Sequence, residues 1–152
     1  MTPHSGSAIV DETLGTLVRG HHIFSDGVQL DDKYFSLTRN IDGRDVGFIA
    51  HSVDPDAVRG MLPRLHHVFD QLQSLHRQAV EAVVYEFSED APSAEELDDA
   101  QRHLTLDAVE VFPDNDVILD LTDTCGSHFM DGYWPAIRFN GVDNVVKVTV
   151  ES

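Results

Sequence analysis

Residues 54–87 read DPDAVRGMLPRLHHVFDQLQSLHRQAVEAVVYEF, and this stretch decides the fold class. Its apolar residues recur every three or four positions, which is the periodicity of one face of an amphipathic helix. Asp54 is a favourable N-cap and Pro55 suits the first helical turn, so the pattern predicts a helix that begins at residue 55. The predicted apolar stripe consists of Val58, Leu62, Leu65, Phe69, Leu72, His76, Ala79, Val83 and Phe87.

The length of this helix predicts an interruption. A straight helix over residues 55–87 would be about 50 Å long, whereas a five- or six-residue strand covers only about 17–20 Å. Pro63 removes one helical hydrogen bond and Gly60 lies close to it, so we expect a kink or break between these two residues. Further along, Ser93 and Glu96 form a capping box, which predicts a second, short helix ending near His103.

Apolar and alternating segments flank the helical region on both sides. We predict strands at residues 14–19, 34–39, 46–51, 108–112, 117–121, 133–139 and 145–150. The sequence therefore predicts an α+β fold. An antiparallel sheet built from both ends of the chain packs on one long, kinked central helix plus a short second helix. We expect a single domain over residues 1–152, with residues 1–10 flexible.

The charge of the chain limits its partners. There are 27 Asp plus Glu against 10 Lys plus Arg, a formal net charge of −17. Such a surface repels nucleic-acid phosphates and anionic lipids and attracts basic proteins, so we expect a basic protein partner, no nucleic acid and no membrane. The alternative is that the acidity reflects adaptation to salt. One cysteine, no secretory start and no apolar run of ~18 residues predict a cytoplasmic protein.

The nine histidines do not show chelating spacing. His21 and His22 would point to opposite faces of a strand, and His66 and His67 would be about 100° apart on a helix. We therefore expect no metal site, and no cofactor either, since the chain has no Gly-x-Gly loop. His76, on the apolar stripe, is expected to be a packed and hydrogen-bonded side chain.

One segment places a thiol and an imidazole close together. Cys125 and His128 lie in the stretch CGSH, so they are the candidate catalytic pair, although such pairs usually meet through the fold rather than within one loop. A polar loop beside the sheet explains the same residues without catalysis. Four aspartates cluster around the neighbouring predicted hairpin without the Gly and Glu of an EF-hand loop: Asp114, Asp116, Asp120 and Asp123.

Short segments along the chain carry a resemblance to known families. They are DETLGTL (residues 11–17), DGRDV (42–46), VVYEF (83–87), and LTLDAVEV (104–111) together with DGYW (131–134). On these segments the chain resembles small bacterial proteins known only as domains of unknown function, numbers 2262, 2004 and 6985. The resemblance implies the fold rather than an activity, and similar domains often look like accessory or immunity-type proteins.

The function that we expect from these observations is binding. The chain is interpreted as a bacterial cytoplasmic protein that acts as a non-enzymatic, acidic protein-binding module of the immunity type. Two alternatives stay open. One is an enzyme with a site near Cys125 and His128. The other is a structural scaffold, and the sequence leaves open whether the chain forms a homo-oligomer.

Overall fold

The computed structural model describes residues 8–152, which form ten strands and three helices. In chain order the elements are β1 (Ala8–Asp11), β2 (Gly15–Val18), β3 (His21–Ile23), β4 (Gln29–Asp31), β5 (Phe35–Ile41), β6 (Arg44–Ala50), α1 (Pro55–Asp70), α2 (Leu72–Phe87), α3 (Ala94–His103), β7 (Leu104–Val111), β8 (Val117–Asp123), β9 (Trp134–Phe139) and β10 (Val145–Glu151). Of the residues expected to be flexible, 1–7 lie outside the described residues, whereas 8–10 belong to β1.

Eight of the strands form one sheet in the order β1-β2-β5-β6-β7-β8-β9-β10. All neighbours are antiparallel except β6 and β7, which are parallel. A parallel pair needs a long crossover, and the three helices between β6 and β7 provide it. The predicted α+β class with a mostly antiparallel sheet is confirmed. The parallel β6–β7 pair at the centre of the sheet and the separate β3–β4 hairpin were not predicted from the sequence.

The helical region is divided at Gln71 and not between Gly60 and Pro63. Both of the latter residues lie inside α1, while Gln71 has φ −102° and ψ 16°. The carbonyl that Pro63 leaves without a helical donor belongs to Arg59, which is exposed, so water can satisfy it. α1 packs against β1 and β7 and α2 against β9 and β10, so the division lets two helices of about 24 Å cover different parts of the sheet.

The helices cover one face of the sheet, and the hydrophobic core lies between the helices and this face. Most of the predicted stripe is buried there, but Phe87 is 56% exposed and so lies outside the core. His76 is packed as expected, with Nε2 2.7 Å from the backbone oxygen of Leu104. The main core residues are Phe48, Val58, Leu65, Leu72, Leu75, Val83, Val109, Leu119, Ile137 and Phe139. Within residues 8–152, no helix is both long enough and apolar enough to span a membrane.

Candidate functional site

The face of the sheet opposite the helices carries an open cavity, and we call this face the open face. Residues of β6 to β10 surround a cavity of about 390 Å³ there, and no residue of the helices lines it. Successive side chains of a strand point to opposite faces, so alternate residues of β8, β9 and β10 line this cavity, whereas the irregularity in β7 brings both Asp107 and Ala108 to it. The side chains that form its floor are Ile49, Glu110, Ile118, Asp120, Ala136 and Arg138.

Two carboxyl groups meet on this floor. Asp120 is opposite Ala108 in the β7–β8 register and Glu110 is opposite Ile118, so the two acids are diagonal neighbours, which we call the carboxyl pair. Asp120 is only 9% exposed. Its Oδ1 accepts a hydrogen bond of 3.2 Å from Nε1 of Trp134.

The two acids of the carboxyl pair differ in pKa. Burial, followed by the hydrogen bond and the negative charge of Glu110, raises the pKa of Asp120 to about 8. The hydrogen bond with His51, whose Nε2 lies 2.8 Å from Oε1 of Glu110, lowers the pKa of Glu110. At neutral pH Asp120 is therefore protonated and Glu110 is ionised. Ionising the buried carboxyl group of Asp120 beside the half-buried carboxylate of Glu110 is costly without a nearby cation, so the pair is a site where a positive group can replace the proton.

Two aspartates of the β7–β8 turn bind Arg138, an arginine that lines the same cavity. Nε of Arg138 donates to Oδ2 of Asp116 at 2.7 Å, and its Nη2 lies 3.6 Å from Asp114. The guanidinium also lies over the ring of Phe112, 4.7 Å from its centre. Arg138 is thus an internal cation of the open face, bound by acids outside the carboxyl pair.

The four clustered aspartates consequently do not form one site. Asp114 and Asp116 hold Arg138, and Asp120 belongs to the carboxyl pair. The carboxylate of Asp123 stabilises the loop that follows β8 by accepting hydrogen bonds from its backbone. Burial raises its pKa, but hydrogen bonds from the backbone N–H groups of Phe129 and His128 outweigh this and lower it to about 2.

That loop contains the predicted catalytic pair. Cys125 and His128 are both exposed. The thiol hydrogen-bonds with Oγ of Ser127 at 2.8 Å and with Oδ1 of Asp123 at 3.3 Å. Among the described residues, the groups in hydrogen-bond contact with Sγ are oxygens and not an imidazole nitrogen, so His128 does not make the contact expected of a general base with its nucleophile.

The fold adds two residues that the sequence analysis did not connect with this loop. His103, at the end of α3, offers a ring nitrogen within 4.8 Å of ligand atoms of both Cys125 and His128. Asp99 lies one helical turn before it, with Oδ1 3.1 Å from Nδ1 of His103 and Oδ2 3.0 Å from Nε2 of His128. We call these four residues the histidine–cysteine cluster.

No protein-family model, curated protein or solved structure matches this chain. The resemblance carried by residues 11–17 and 104–111 therefore stays an expectation. The function has to be argued from the carboxyl pair of the open face and from the histidine–cysteine cluster.

Proposed function

We propose that this protein is a non-enzymatic cytoplasmic binding module whose open face receives a basic segment of a protein partner. The observation that carries this proposal is the carboxyl pair. Glu110 and Asp120 are diagonal neighbours in the lining of an open cavity, and burial beside Glu110 raises the pKa of Asp120 to about 8. A lysine ammonium or an arginine guanidinium inserted there would let both acids ionise, and the proton would leave to solvent.

Other features of the open face favour the same occupant. Asp107 and Glu151 add two carboxyl groups to the lining of the cavity, so that four acidic residues stand against two basic ones, Arg138 and Lys147. Trp134 lies beside the pair and offers an aromatic surface to the alkyl stem or the cation of the incoming side chain. The net charge of −17 attracts a basic partner from a distance and speeds its association.

The family resemblance adds a biological setting to the proposal. An immunity-type protein binds and neutralises a toxin, and a basic toxin would present the lysine and arginine side chains that the open face would receive. Membership of the families numbered 2262, 2004 and 6985 is part of this proposal, and the argument from the carboxyl pair does not depend on it.

The single tryptophan makes the proposal testable at one site. Trp134 is the only tryptophan of the chain, and its indole N–H donates to Asp120. We would titrate the protein with the peptide acetyl-Gly-Arg-Gly-Arg-Gly-amide and follow the indole resonance by NMR. The indole signal should move, and calorimetry in buffers of different ionisation enthalpy should detect release of up to one proton per bound peptide near pH 7.

Three comparisons make this experiment decisive. The same peptide with citrulline in place of arginine keeps its shape but loses its charge, so it should not bind. The double variant Glu110→Gln, Asp120→Asn should lose the indole shift and the proton release. The matched control is Glu86→Gln, which removes one negative charge from an exposed position on α2. Equal binding by the double variant and the wild type would refute the proposal.

An enzyme is the second candidate, and one contact favours it. Asp99 orients the ring of His128 through a 3.0 Å contact, as the third member of a nucleophile–base–acid set would do. If His128 activates Cys125, then His128→Asn should slow alkylation of the thiol by iodoacetamide at pH 7 at least ~10-fold. An unchanged alkylation rate, measured with EDTA present, would remove this candidate.

A structural scaffold is the remaining alternative, and the edges of the sheet favour it. On their outer sides β1 and β10 have no partner among the described strands, and each exposes a large apolar side chain, Val10 and Val146. Unpaired edges of this kind can join a second chain. Light scattering over a range of protein concentrations would detect the oligomer, and a constant monomer mass would exclude it.

A further inference from the structure

The histidine–cysteine cluster brings together three residues with metal-binding side chains from two separate parts of the chain. His103 comes from the end of α3, while Cys125 and His128 come from the loop after β8. One ligand atom of each lies within 4.8 Å of those of the other two. In a tetrahedral zinc site, bonds of about 2.0–2.3 Å place such atoms roughly 3.3–3.8 Å apart, so shifts of roughly 1 Å would complete it.

Backbone and side-chain hydrogen bonds hold these ligands in place. Thr124 donates twice to the backbone oxygen of His103, from its N–H at 2.9 Å and from its Oγ1 at 3.1 Å. Asp123 accepts the backbone N–H groups of Cys125 at 3.2 Å and of His128 at 2.8 Å. The carboxylate of Asp123 thus stabilises the loop, and Thr124 joins the loop to His103 at the end of α3. The arrangement of the three ligands therefore follows from the fold.

Asp99 orients the two imidazoles. Nδ1 of His103 lies 3.1 Å from the Asp99 carboxylate and 3.0 Å from the Asp99 backbone oxygen. Two acceptors at Nδ1 assign the proton to that nitrogen and leave the lone pair of Nε2 free for a metal. A carboxylate behind a ligating histidine is the usual support of a zinc-bound imidazole.

We propose that His103, Cys125 and His128 bind a divalent transition-metal ion of the zinc class, with Asp99 as a positioning residue. A thiolate and two imidazoles favour zinc and cobalt over magnesium and calcium. Binding releases the thiol proton to solvent. The side chains of His103 and His128 are 34% and 26% exposed, so an ion can reach them. This departs from the expectation drawn from spacing within single elements, which could not include His103.

Cobalt reports on this site selectively. The reduced, EDTA-treated protein would be titrated with Co²⁺, because a cobalt–thiolate bond gives a charge-transfer band that carboxylates on the acidic surface do not give. We expect the band to saturate at one equivalent and to disappear when Zn²⁺ is added. Zinc should also protect Cys125 of the wild-type protein from iodoacetamide, which is a measurement that needs no variant.

The variants separate ligands from supports. Cys125→Ser should abolish the band, and His103→Asn or His128→Asn should weaken zinc binding at least ~10-fold. Asp99→Asn should keep the cobalt–thiolate band, while the affinity for zinc falls by about 10- to 100-fold. His22→Asn, in the β3–β4 hairpin, is the matched control and should change nothing. Absence of the band, or equal zinc affinity of Cys125→Ser and wild type, would overturn the proposal. The open-face proposal would stand in either case, because it uses none of these residues.

Discussion

A single carboxyl group, that of Asp120, makes the stability of the fold depend on pH. Its pKa is about 8 in the folded chain against 3.8 as the ordinary value. Between these values the folded state holds a proton that the unfolded state has lost. The stabilisation that comes from this proton is therefore complete below about pH 4 and is lost as the pH rises through about 8.

The variant Asp120→Asn tests this linkage. Asparagine has nearly the same shape and carries no titrating proton, so its melting temperature should fall less than that of the wild type between about pH 6 and about pH 9. The control is Asp90→Asn, at an exposed position in the loop after α2, which should follow the wild-type curve. Parallel curves for wild type and Asp120→Asn would contradict the raised pKa of Asp120, and with it the main support for the proposed function.

Among the elements, α2 depends on its buried face. Leu72 begins this helix and is 8% exposed, in contact with the core under the sheet. Leu72→Ala should lower the free energy of unfolding by roughly 2–5 kcal/mol, since it leaves a cavity beside the break at Gln71. Gln73→Ala, one position further along and exposed, should be nearly neutral in the same urea titration. Equal effects of the two variants would mean that this part of α2 is not packed as described.

The guanidinium of Arg64 joins α1 to two turns of the sheet by hydrogen bonds. Arg64 donates from Nε to the oxygen of Asn115 at 2.9 Å, from Nη2 to the oxygen of Asn140 at 2.9 Å, and from Nη1 to Oδ1 of Asp143 at 2.7 Å. It thus joins the helix to the β7–β8 turn and the β9–β10 turn. A lysine ammonium cannot reach all three acceptors from one position.

Arg64→Lys should therefore cost about 1–2 kcal/mol of unfolding free energy, because at least one hydrogen bond to a half-buried acceptor is lost. Arg59→Lys is the matched control on the same helix. Arg59 is exposed, and within residues 8–152 its one ion pair is with Asp56, three residues earlier, so that exchange should change stability by less than ~0.5 kcal/mol. A neutral Arg64→Lys would show that the three contacts do not stabilise the fold.

Over the whole molecule, local signals predicted the helical region and seven of the ten described strands but not β1, β3 and β4, and long-range geometry decided the arrangement. The capping box at Ser93 places the start of α3 correctly, because Oγ accepts the N–H of Glu96 within one helical turn. The division at Gln71 was not predicted, since it depends on which strands each helix covers. Pro63 does not break α1, because the hydrogen bond that it removes is on an exposed side of this helix.

The candidate sites were predictable only in part, for the same reason. Cys125 and His128 are close in sequence, so they were found, whereas His103 joins them only through the end of α3. Glu110 and Asp120 are on different strands, and an irregularity in the pairing near Asp107 sets the register that makes them neighbours. The available signal was a polar residue inside each apolar strand, since such a residue must face away from the core or find a partner.

The net charge of −17 has two effects on the whole molecule: it destabilises the folded state by self-repulsion, and it attracts basic partners. Changing the salt concentration distinguishes these two effects. Like charges repel one another in the folded state, so raising NaCl from about 0.01 M to about 0.1 M, which shortens the screening length from about 30 Å to about 10 Å, should raise the melting temperature. The same change should weaken binding of the arginine peptide to the open face, because attraction between exposed charges is screened. If the acidity reflects only salt adaptation, the first effect will appear without any binding of the peptide. Binding that does not change with salt would contradict a role for charge in recognition, whatever the melting curves show.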